Sequence, residues 1–89
     1  MTSILDEINK EQEGVEYFEW KMSEAIRDTK EYDDYDYQFY KRRRAYHLGK
    51  VEALHDVLVL LGFKVSTIPT DRYWDYEKQD EHRRWVAHN

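Results

Sequence analysis

Cysteine is absent from this 89-residue sequence, proline occurs once and glycine three times. Without cysteine there is no disulfide framework and no thiolate metal site, and the cytosol is the expected compartment. Three isolated glycines (Gly14, Gly49 and Gly62) do not build a phosphate-cradling loop. Ser3, Ser23 and Ser66 lack a glycine-rich elbow or a neighbouring base, so nucleophilic catalysis has no candidate. The longest apolar run, Val57 to Leu61, is far too short to cross a bilayer. The opening MTSILDEINK carries acids where a secretory leader needs cations. These features predict a soluble, cytoplasmic protein, with no cofactor and no enzymatic activity.

Charge is abundant. The charged fraction is 37%, against 40% hydrophobic residues, and ordinary domains carry about a quarter charge. Such a chain suits long helices with narrow apolar stripes better than a spherical core. A small core gains from a second copy, so a homodimer is expected. The net charge is −5 and unevenly spread. Residues 1–40 hold twelve acids against four bases, and residues 41–89 hold ten bases against seven acids. The simplest use of that asymmetry is antiparallel pairing of the two halves, within one chain or between copies.

The apolar residues recur at helical spacing. Ile4, Ile8, Val15, Phe18, Met22 and Ala25 share one face, interrupted by Glu11, and Ser3 with Asp6 supplies an N-terminal cap. Tyr37, Tyr40, Arg44, His47, Val51, Leu54, Leu58 and Leu61 form a second stripe, weakened by Arg44 and His47. Gly14 and Gly49 sit inside these helices, each at a cost of about 1 kcal/mol relative to alanine. Gly62 followed by Phe63 is a helix-ending signal of the Schellman kind. From Val57 to Leu61 the helix is apolar all round, which calls for cover on more than one side: the C-terminal segment or another subunit. Lys64 to Ile68 reads as extended, a short strand or a connector. Beyond Pro69, Trp74, Lys78, Glu81 and Trp85 share a helical face. The predicted fold is therefore all-α: one domain over 1–89, a long antiparallel hairpin of helices 3–29 and 34–61, and a short third helix over 71–87.

Candidate binding residues cluster where the hairpin turns. Asp33, Asp34 and Asp36, interleaved with Tyr35 and Tyr37, form an acidic, tyrosine-rich stretch. Carboxylates on a rigid scaffold attract a basic nucleic-acid channel, and tyrosines supply contact area at low entropy cost. The same acids also suit a solvated helix N-terminus. The run Lys41, Arg42, Arg43 and Arg44, flanked by Tyr40 and Tyr46, is the alternative, a nucleic-acid contact assisted by Arg83 and Arg84. Four successive helical residues point in four directions, however, and the competing use of these cations is to pair with the acidic first helix. Glu52 and His55 make half of a di-metal helix motif whose second half is missing, so no metal site is predicted. His82 and His88 do not match a helical metal pair.

The stretch from Tyr40 to Leu54, fifteen residues, resembles a pattern in small helical proteins of phages and prophages of Gram-positive bacteria. The small size, acidity and lack of a catalytic motif also resemble phage-encoded inhibitors of host defence, including anti-CRISPR proteins. Those inhibitors share no common motif, so no residue role is carried over. The resemblance implies a non-enzymatic protein that binds a host protein such as a nuclease, in its most concrete form by occupying a nucleic-acid-binding site. The rival reading is a small nucleic-acid-binding accessory protein using Lys41 to Arg44.

Overall fold

A computed structural model describes residues 3–27, 34–77 and 81–88, with Ser3 and Asp34 described in their backbone only. Helix α1 spans Ser3–Arg27 and α2 spans Asp34–Leu60. They pack along their length as the expected hairpin, and the molecule extends 49 × 23 × 16 Å. The end of α2 follows the sequence signal. Gly62 adopts φ 90°, its N–H bonds Val59 O at 3.0 Å, and Phe63 N–H bonds Leu58 O at 3.0 Å. These are the two hydrogen bonds of a Schellman ending.

The all-α expectation is wrong. The chain continues into two antiparallel strands, β1 Lys64–Thr70 and β2 His82–His88, in place of a helix over 71–87. The helical face drawn through Trp74, Lys78, Glu81 and Trp85 does not exist as one face. Trp74 lies in the connection and Trp85 on β2. Lys64 to Ile68 is extended as anticipated, within β1. Side chains of β1 and β2 are well suited to a pleat (Val65, Thr67, Ile68, Thr70, Trp85 and Val86). Pro69 is tolerated because it sits opposite Arg83. Arg83 turns its own N–H to Glu16 and its carbonyl to Arg72, so this pair lies at a non-hydrogen-bonded site of the ladder. The missing proline donor would have pointed away from β2, where its absence costs the ladder nothing.

β2 lies on α1 and β1 on α2. The outer edge of β2 is closed by side chains of α1. The Asn9 amide donates to Trp85 O at 3.0 Å and accepts from Trp85 N–H at 2.6 Å, while Glu16 accepts from Arg83 N–H at 3.0 Å. An exposed edge that would otherwise template pairing is satisfied within the chain. Among the described residues, the buried apolar ones are Ile8, Val15, Val51 and Leu58, flanked by Ile4, Leu5, Leu48, Leu54, Val65 and Trp85. This is a seam along the helix pair, thickened where the sheet docks. Among the described residues, no helix is long and apolar enough to cross a membrane.

Candidate interaction surface

The polar residues that interrupt the two helical stripes are partners of each other. Glu11 is buried within the α1 stripe, and its carboxylate meets His47 Nδ1 at 2.5 Å and Lys50 Nζ at 3.7 Å. The His47 ring also stacks on Phe18, at 5.6 Å between centroids and 14° between planes. It occupies the space over Gly14, whose missing side chain admits it. One turn of α2 earlier, Arg44 Nε donates to Glu19 Oε1 at 2.8 Å. The acids of α1 thus face the bases of α2, the antiparallel pairing that the charge asymmetry suggests. Polar contacts buried in an apolar seam stabilise little on their own, but they set register. The Lys50 ammonium is held above its ordinary pKa, first by hydrogen bonding to Tyr46 and then by the Glu11 carboxylate, with burial acting against both.

A second polar group ties the sheet and its connection to α1. Glu16 accepts from Arg72 Nε at 2.7 Å and from Gln12 Nε2 at 2.9 Å, in addition to Arg83 N–H. His82 stands between two carboxylates, Asp75 Oδ2 at 2.9 Å from Nε2 and Glu16 Oε1 at 3.4 Å from Nδ1. Glu16, Asp75 and His82 are all buried. Every fully buried side-chain donor or acceptor among the described residues has a partner. This carboxylate–histidine–arginine group has the residue types of an acid–base site. Its polar atoms face one another, however, and it holds the β1–β2 connection down. The tryptophans finish that attachment. Trp74 packs against Tyr17 and Trp20, with ring centroids at 5.5 and 5.3 Å, and Trp85 Nε1 donates to Gln12 at 3.1 Å. Reading along the sequence missed this group, because its members come from α1, a loop and β2.

The predicted contacts with described side chains, Tyr35, Asp36 and Tyr37, do not share one face. Asp33 lies outside the described residues, and Asp34 opens α2. Tyr35 and Asp36 are exposed, with Tyr35 at 74%. Tyr37 turns the other way, into a shallow groove with Glu19, Met22 and Arg44. Two residues along a helix differ by roughly 200°, which separates the two tyrosines. The basic run divides similarly. Lys41 and Arg42 are exposed, Arg43 lies 5.9 Å from Phe18 and 5.1 Å from Tyr46 over their rings, and Arg44 is committed to Glu19. Glu52 and His55 line an open groove of about 430 Å³ with Trp85. Among the described residues, no group of three or more His, Asp or Glu side chains is placed to hold a metal ion.

What remains exposed is concentrated on α2. With Val51 and Leu58 directed at α1, the residues on the opposite side run Tyr35, Arg42, Tyr46, Gly49, Ala53, Asp56 and Leu60, with Phe39 and Val57 beside them. All of them are exposed, Tyr46 at 51% and Leu60 at 86%. The helix end adds Val59, Leu61 and Phe63. The sheet covers Leu58 but leaves the rest of the all-round apolar turn in water. α2 therefore carries apolar side chains on two sides, one packed against α1 and one exposed. No protein family, curated protein or solved structure matches the chain.

Proposed function

We propose that the protein is a non-enzymatic interaction module that binds another protein chain through the outward face of α2. The observation that carries the proposal is the alignment of Tyr35, Phe39, Tyr46, Val57 and Leu60, all exposed, along one side of a single helix. Scattered apolar residues are ordinary on a surface, but a contiguous patch marks an interaction site. Tyrosines with a neighbouring arginine are the residue types that dominate binding energy at interfaces. Tyr46 is steadied for this role by Arg43 on its ring and Lys50 at 4.5 Å from its centroid. Asp36 borders the patch, and Arg42 lies on it between Tyr35 and Tyr46.

The narrower form, an inhibitor seated in a basic nucleic-acid channel, draws on the acidity of the first forty residues. Glu11, Glu16 and Glu19 are turned inward onto His47, Arg72 and Arg44, so apolar contact is the better-supported means of binding. Direct nucleic-acid binding through the basic run is less favoured, since Arg44 is already engaged.

A photo-crosslinking residue replacing Tyr46 or Leu60 tests the proposal in native cells, with Tyr76 as an exposed control off the helix. Protein adducts at 46 and 60, and none at 76, are expected. Adducts to nucleic acid at 46, or no adduct at either α2 position, would overturn it.

A further inference from the structure

We infer that the chain occupying this face is a second copy of the same protein, crossing α2 antiparallel to itself near Gly49. This rests on the interaction face proposed above and names its occupant. The argument is self-complementarity. A two-fold interface needs each residue at a given distance before the axis to suit the residue the same distance after it. Arg42 stands seven residues before Gly49 and Asp56 seven after, both on the outward stripe. An antiparallel crossing at Gly49 sets each Arg42 opposite Asp56 of the other copy, twice per dimer.

Neither group is strongly engaged within the chain. Arg42 has no hydrogen bond or ion pair among the described residues, and Asp56 is 79% exposed with one 3.7 Å approach to His55. The apolar residues obey the same symmetry. The turn carrying Tyr35 and Phe39 falls opposite the exposed Val59 to Phe63 segment. Tyr46 falls beside Ala53, whose small side chain leaves room for the ring. At the axis a side chain on Gly49 would meet nothing within 4 Å inside its own protomer, so the two backbones are free to approach. A parallel arrangement offers none of these matches, because it sets Arg42 against Arg42 and Asp56 against Asp56. The turn from Val57 to Leu61 then gains the cover on its outer side that the sheet does not supply.

Sedimentation equilibrium on the full chain tests this. Wild type is expected to be dimeric at ~100 µM, a modest requirement for an interface of this kind. Arg42→Asp and Asp56→Arg each place like charges across the axis twice, and each is expected to raise the dimer Kd by about tenfold or more. The double variant Arg42→Asp/Asp56→Arg is expected to return toward the wild-type Kd. Both positions changed are exposed on a helix, and circular dichroism verifies that helicity is retained. A monomeric wild type overturns the inference, as does a dimer indifferent to both single changes, or one that the double change fails to restore. A monomer that still forms adducts to a different protein from position 46 removes the self-association while leaving the interaction face standing.

Discussion

Gly14→Ala separates two accounts of the same glycine. On propensity alone, alanine in a helix interior is worth about 1 kcal/mol over glycine, and the variant should be more stable. The structure reverses the sign. A Cβ on Gly14 would stand 2.9 Å from Cγ and Nδ1 of His47 and 3.1 Å from Cδ2. These are atoms near the root of a planar ring, and the ring cannot swing aside. It is stacked on Phe18, bonded to Glu11 and edged by Tyr46. Overpacking of that kind costs about 1–3 kcal/mol. Setting the propensity gain against it leaves a net loss of about 1 kcal/mol, or roughly 4–8 °C in Tm for a domain of this size. Urea unfolding at a fixed protomer concentration measures it, read as a fall in midpoint at unchanged slope.

The cycle with His47→Ala makes the reasoning decisive. Once the ring is gone the added methyl meets no clash, and Gly14→Ala should stabilise that background by about 1 kcal/mol. The coupling between the two sites should then be about 1–3 kcal/mol. A Gly14→Ala protein more stable than wild type, or a coupling under about 0.5 kcal/mol, would show that His47 does not occupy the space over Gly14.

Two further perturbations test how the sheet is attached. Glu16→Ala removes a buried carboxylate from the Arg72 side chain, itself only 11% exposed, and should cost about 3–5 kcal/mol, measured by urea unfolding; a loss below about 1 kcal/mol would mean the cluster is not the clamp described. Asn9→Leu removes both partners of the Trp85 backbone and should cost about 1–3 kcal/mol; hydrogen exchange should speed up at the Trp85 amide in particular, and unchanged protection there would refute the edge closure.

The hairpin was legible because its signals are local. Two stripes of spacing three and four, and the Gly62–Phe63 ending, fix helix type and the end of α2 without reference to anything distant. Glu11, Gly14, Arg44 and His47 were legible as flaws in those stripes. Their mutual fit was not, since it depends on which turn of α1 meets which turn of α2. The second strand was hidden for a different reason. In HRRWVAH the alternation of apolar and polar residues is blurred, because Arg83 lies along β1 with Nε on Thr67 Oγ1 at 2.8 Å. Trp74 and Trp85 both cover α1, from a loop and from a strand, and their spacing of eleven residues imitates three turns of a helix. The opposed directions of Tyr35 and Tyr37 follow from helical geometry alone, and a stricter reading of the sequence would have separated them.

The flaws in the stripes and the apolar outer face of α2 belong to one argument. A helix packed only on its partner helix needs polar residues on its other side, and the acids and lysines for such a face are present in this chain. Instead Glu11 and His47 are drawn into the seam, Arg44 and Lys50 reach Glu19 and Glu11 from its margin, and tyrosine, phenylalanine and leucine stand between the charges that face out. Inward polar pairs give the hairpin a single register and hold α2 in place against α1. A face held in that way is formed before anything binds to it, so association loses less conformational freedom than it would with a mobile helix. Gly14 contributes by admitting His47 to the seam. If filling that space loosens the hairpin, the outer face of α2 should lose affinity for its occupant even though Gly14 lies on the other helix and touches no partner.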